Sequence, residues 1–251
     1  MVEQPPSDGY TYQQAVRVDM PQRVPYVTYT ILGITVVIYL AQMLSEILLG
    51  TDLPAYFGMK INEFIIQGQF WRLFTPALLH GSILHIGFNM YALLTIGSGL
   101  ERFFGHGRYL LLYLSGAFAG NVLSFLLSSN PSLGASTAIF GLLGAQGIFL
   151  YRHRELFGSQ ARAALQNVIT VAGINFLIGL QPGIDNWGHL GGLLGGLIFT
   201  WFGGPRLTIE GLYPLMRIED EHGNTQTVTA VAVVLLIFGA LTALRIVGLG
   251  G

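Results

Sequence analysis

Seven stretches of this chain are long and apolar, and they leave little freedom in what it can fold into. They run over about 30–49, 82–100, 109–128, 135–151, 163–180, 188–203 and 229–247. At 1.5 Å of rise per residue, a helix of about 20 residues crosses a hydrocarbon core of roughly 30 Å. Lipid offers the backbone no hydrogen bonds, so an apolar run that enters it must close its own bonds as a helix. Composition agrees. Hydrophobic residues make up 52% and charged residues only 10%, where soluble domains carry roughly 25% charge. Thirty-four glycines would weaken helices in water, but in lipid small residues let helix backbones approach closely. The expectation is an all-α polytopic membrane protein. With no cysteine and a net charge of −1, a disulfide scaffold, thiolate chemistry and nucleic-acid binding all lack support.

The segments between the runs are readable too. Residues 1–26 are polar, carry Pro5, Pro6, Pro21 and Pro25, lack the pattern of a secretory signal, and read as a flexible tail. Residues 51–79 mix Pro54, Gly58, Gly68 and Pro76 with Tyr56, Phe57, Phe64, Phe70 and Trp71, the pattern of a structured loop at headgroup depth. A polar linker over 205–228 precedes the seventh run. If the N-terminus is cytoplasmic, Arg17, Arg23, Arg102, Arg108, Arg152, Arg154, Arg162, Arg206 and Arg217 fall inside, against Lys60, Arg72 and Arg245 outside. That bias obeys the positive-inside rule.

Polar residues inside apolar runs are the informative ones, because each needs a partner in lipid. His80, His85 and Asn89 enter the second run, Ser136 and Thr137 open the fourth, and Asp185, Asn186 and His189 lead into the sixth. In the topology above all three clusters share one depth on the outer side. A lone membrane serine usually bonds its own backbone. Ser136, however, stands at the first turn of a helix, where free N–H groups and the helix dipole favour a developing negative charge. His189 is followed by Gly192 and Gly196 on its own face, and Thr137, Gly141 and Ala145 make a matching small stripe on the fourth run. Two such faces can pack closely enough for an imidazole to reach a hydroxyl. His85 and Asn89, four residues apart, share a face and can both donate. No carboxylate stands on the same face near either histidine, so a metal site is poorly supported. Asp185 falls in a loop and carries little weight as a third catalytic member. A nucleophile, a base and a pair of donors are the parts of an acyl-transfer site.

Together HGSILHIGFNMYAL, GASTAIFGLLG and DNWGHLGGLLGGL resemble the rhomboid intramembrane serine proteases, in the family's order and on the second, fourth and sixth runs. The resemblance covers residues 27–204. It implies a six-helix core over 27–204, joined by a cytoplasmic linker (205–228) to an extra transmembrane helix (229–251), with no motif of the family beyond 204. It implies Ser136 as nucleophile and His189 as general base, a dyad without an acidic member. His85 and Asn89 would help the Ser136 N–H hold the oxyanion, and Phe140 would pack on the histidine. Gly134, Gly192 and Gly196 would support the site. WRLFTPALLH, with Trp71 and Arg72, resembles the family's first loop, and Glu101 the end of its second helix. Pro76 stands where relatives can carry a further histidine, and Gly188 where an alanine is common. The substrates implied are transmembrane proteins, cut at the outer edge of a prokaryotic plasma membrane without cofactor or metal, with the fifth run and the loop at 181–187 as gate. A non-catalytic rhomboid-like protein that binds membrane helices is the alternative. Such relatives typically lack the serine or the histidine, and both are present here.

Overall fold

The computed structural model describes residues 23–211 and 216–249; the expected tail falls on residues 1–22, outside them. Each apolar run is helical. In chain order the long helices are α1 (Tyr26–Leu49), α4 (Ile83–Ala92) running through a π-type turn at Leu93–Gly97 into α5 (Ser98–Phe104), α6 (His106–Leu127), α7 (Ser136–Arg152), α8 (Arg154–Ile178), α9 (Asn186–Gly203) and α10 (Asn224–Leu249). Two short helices, α2 (Leu53–Gly58) and α3 (Asn62–Ile66), and two 3₁₀ turns fill the loop after α1. The chain is an all-α polytopic membrane protein.

Five helical segments, α1, α4 through α5, α6, α8 and α10, are long and apolar enough to cross a membrane. The other two runs form shorter helices. α7 has 17 residues and α9 has 18, about 25–27 Å at 1.5 Å per residue. α7 is largely buried among its neighbours, and α9 is buried along its glycine face while Leu194, Trp201 and Phe202 are exposed. Their glycines serve contact: a Cβ on Gly192 would collide with the carbonyl oxygen of Thr137, and one on Gly196 with that of Gly141. α6 closes the same centre, its Gly116 against Gly141 and its Ala119 against Gly195.

Long-range fastenings hold the periphery. Glu101, fully buried near the end of α5, accepts from the backbone N–H groups of Val27 and Thr28 at 2.8 Å and from Thr28 Oγ1 at 2.7 Å. It thus caps α1, whose own N-terminus has no side-chain cap, and pairs with His106 Nδ1 at 2.6 Å. The first loop is tied internally. The buried Arg72 donates to Met59 O (2.7 Å), Tyr56 O (2.8 Å) and Gln69 Oε1 (2.8 Å), with its guanidinium 4.7 Å from the Phe64 ring centroid. Burial holds that guanidinium below its ordinary pKa.

The polar linker is not structureless. Leu207–Glu210 (β1) and Arg217–Asp220 (β2) pair antiparallel, and Leu207 N–H donates to His153 Nε2 at 2.9 Å. Arg108 at the start of α6 grips Asp220 Oδ2 (2.6 Å), His222 O (2.6 Å) and Thr227 Oγ1 (3.0 Å). α10 then packs on α9 and α6, adding Ala230, Val234 and Phe238 to the core.

Candidate active site

Ser136 is the first residue of α7, and no side chain caps that helix. Its first-turn N–H groups are therefore left for an anion or a polar ligand. The segment ahead of it is held from several directions. Gly134 N–H donates to Pro76 O at 2.9 Å, and Ala135 N–H to His80 Nε2 at 3.4 Å. Gly134 has φ +136°, and a Cβ there would lie 2.8 Å from the His85 ring. Glycine is demanded twice at that position, by backbone conformation and by the imidazole beside it.

His189 sits one turn into α9, buried, with Nε2 2.9 Å from Ser136 Oγ. Its ring lies parallel to Phe140, at 8° and 4.3 Å between centroids, which fixes its plane. Nδ1 has no hydrogen-bond partner among the described residues. Asp185 does not supply one. It is the N-cap of α9, its Oδ1 accepting from Gly188 N–H at 2.9 Å while Oδ2 takes the hydroxyl of Ser124 on α6. Both oxygens are already engaged, so the hydroxyl–imidazole pair stands without a carboxylate behind it.

His85 and Asn89 lie on one face of α4 and line the same cavity as Ser136 and His189. His85 Nδ1 accepts from Gly81 N–H at 3.4 Å, which leaves Nε2, beside Gly134, to carry the ring hydrogen. Asn89 differs from the sequence reading of two donors aimed at one point: its amide donates to His85 O at 2.9 Å. Gly192 and Gly196 stand below His189, where their bare faces let α9 meet α7.

Three further residues gather at this end of the bundle and were not singled out from the sequence as site residues. Gln42 of α1 donates to His80 O and Asp52 Oδ2 and accepts from His80 N–H, a polar residue inside an apolar run that could have been noticed for that reason. Ser124 holds Asp185. Lys60, the only lysine in the chain, is buried and donates to Ser128 O (3.0 Å) and Asn130 O (2.8 Å), while its backbone pairs with Ser132. It pins the loop that leads to Ser136. Desolvation brings its pKa down to about 8, against the opposing pull of Asp185 and Glu63.

The cavity has a volume of about 1160 Å³ and extends from Ser136 and His189 between α4 and α8. Its wall includes the apolar Phe88, Ile96, Leu143 and Val171 and the polar Thr95, Gln146, Asn167 and Asn175.

Comparison with known proteins follows this architecture. Residues 67–206 match the family model described as a rhomboid domain. The chain is 39% identical over 173 residues to the rhomboid protease GluP of Bacillus subtilis (strain 168), covering 68% of this chain and 34% of the relative. It is 31% identical over 207 residues to the chloroplastic RHOMBOID-like protein 9 of Arabidopsis thaliana, covering 79% of this chain and 48% of the relative. To the mitochondrial RHOMBOID-like protein 6 of the same plant it is 41% identical over 134 residues, covering 53% and 43%. The chain thus spans about a third to a half of the length of these relatives.

Proposed function

We propose that this chain, which belongs to the rhomboid family, is an intramembrane serine protease that cuts transmembrane proteins with Ser136 as nucleophile and His189 as general base. The observation that carries the reading is the 2.9 Å contact between Ser136 Oγ and His189 Nε2 at an uncapped helix N-terminus. Nε2 takes the hydroxyl proton as Oγ attacks a peptide carbonyl, and the imidazolium then returns it to the departing amine. The acyl-enzyme is released by water, with His189 again as base. The Ser136 N–H and the His85 Nε2 hydrogen would hold the oxyanion, joined by Asn89 once its amide leaves His85 O. Stacking on Phe140 keeps the imidazole in plane through both proton transfers. In this reading Gly134, Gly192 and Gly196 act by allowing close approach, no metal or cofactor takes part, and the active end faces the outer side of the membrane. The domain division follows the sequence reading, core 27–204, linker 205–228 and extra helix 229–251, with the last helix itself starting earlier, at Asn224.

The test is labelling of purified protein by a fluorophosphonate, together with cleavage of a reporter helix. Wild type is expected to be labelled and to cut. Ser136→Ala should lose both, and His189→Ala should fall by at least about 10³-fold, the scale on which a dyad member acts. Equal labelling of all three proteins removes the dyad. A folded wild type that binds a reporter but neither labels nor cuts favours the non-catalytic helix-binding reading.

A further inference from the structure

The cavity beside Ser136 does not end at the chemistry. Its wall includes Gln146 of α7 and Asn167 of α8. Gln146 stands ten residues beyond Ser136 on the same helix, which is about 15 Å deeper at 1.5 Å per residue. Phe140 and Leu143 of α7 pack with Val168 of α8, so Asn167 is at a comparable level. Neighbouring polar side chains are spent on their own helices: Asn175 donates to Val171 O at 2.8 Å, and Thr95 to Tyr91 O at 2.9 Å. Gln146 is partly buried and Asn167 exposed; both border the cavity, and neither carboxamide bonds another described residue. A carboxamide at bilayer depth is costly unless something bonds it. The volume, about 1160 Å³, exceeds the roughly 300–1,000 Å³ of small-molecule pockets, and the opening between α4 and α8 is lined mainly by apolar groups. Those dimensions and that chemistry fit about two to three turns of an apolar helix.

We infer that Gln146 and Asn167 form a specificity site for the substrate's transmembrane helix, hydrogen-bonding a hydroxyl or carboxamide side chain carried about two to three turns from the bond to be cut. The inference rests on the protease reading and names what that site selects. Each carboxamide offers both a donor and an acceptor, so Ser, Thr, Asn or Gln in the substrate satisfies it and Leu does not. The chemistry then acts on a helix already registered by its polar residue, which sets the distance between that residue and the cut.

Binding and cleavage are read separately. A fluorescent Leu-based transmembrane peptide, with or without one Asn ten residues from the cleavable bond, is titrated in bicelles against full-length Ser136→Ala protein. The same is done after adding Gln146→Leu and Asn167→Leu. The Asn peptide is expected to bind about tenfold tighter than the all-Leu peptide, roughly threefold for each membrane hydrogen bond, and the added substitutions should erase that preference while leaving the all-Leu peptide unchanged. In the Ser136-containing protein the double substitution should keep wild-type fluorophosphonate labelling and lose the preference in KM. Equal binding of both peptides, as expected if lipid or water fills the cavity, overturns the inference, as does a preference that survives the double substitution or is indifferent to where the Asn stands. Preferential binding without labelling or cleavage would instead sink the protease reading and leave the selection site standing.

Discussion

At the scale of single residues, the site is made by side chains whose surroundings leave them one task each. Asp185 could have completed a triad by type and proximity, but both its oxygens serve the N-terminus of α9 and Ser124. Lys60 is a similar case, a cation turned into a brace for the loop over 128–132. Its pKa near 8 can be measured, because no other lysine interferes. Reductive ¹³C-methylation followed by NMR titration in detergent should give a lysine midpoint near 8, well below the ordinary value of 10.5. A midpoint at 10.5 would mean that the side chain is solvated. The sign for stability follows. Between pH 8 and 10.5 the unfolded chain holds a proton that the folded one has released, so this residue's contribution to stability rises with pH across that window and is flat below it.

At the scale of elements, the contact between α7 and α9 decides whether Ser136 and His189 meet. Backbone lies against backbone there, with Gly192 on Thr137 and Gly196 on Gly141. Gly196→Ala places a methyl group onto a carbonyl oxygen and must push the helices apart. The expected cost is about 1–3 kcal/mol, the range for overpacking, seen as a lower thermal midpoint in detergent together with reduced fluorophosphonate labelling. Gly239 of α10 has open space where its Cβ would stand, and Gly239→Ala should leave both readouts unchanged. If the two substitutions behave alike, helix approach is not what Gly196 provides. The stripes on α7 and α9 were visible at helical spacing. The third partner, Gly116, Ala119 and Gly120 of α6, completes the packing; it was not singled out from the sequence, although Gly116 and Gly120 stand at the same four-residue spacing.

At the scale of the whole molecule, α10 is integrated rather than merely attached. Arg108, with a side chain 9% exposed, joins the start of α6 to the hairpin and to the start of α10. Replacing it by methionine should cost about 1.5–3 kcal/mol, the scale of a hydrogen bond to a charged group. The loss would appear as a lower thermal midpoint and easier proteolysis within 205–223, with labelling of Ser136 retained below the transition. An unchanged midpoint would show that α10 is held by its apolar face alone. The hairpin that carries Asp220 lay in what reads as a polar linker, since four-residue strands give too short an alternation to stand out.

What the sequence alone determined was the class of molecule and the identity of the groups available for chemistry. Charge scarcity and run length demand membrane helices, whatever the neighbours, because lipid leaves the backbone no other partner. Ser136 at a helix start and His189 above two small residues were legible because helical periodicity is local. Only the tertiary structure decided the 2.9 Å approach of the two residues, the diversion of Asp185 and of the Asn89 amide to other partners, and the cavity that reaches Gln146 and Asn167. Those depend on how separate helices are rotated against one another. That rotation is a property of the packed bundle, carried by no single run of residues.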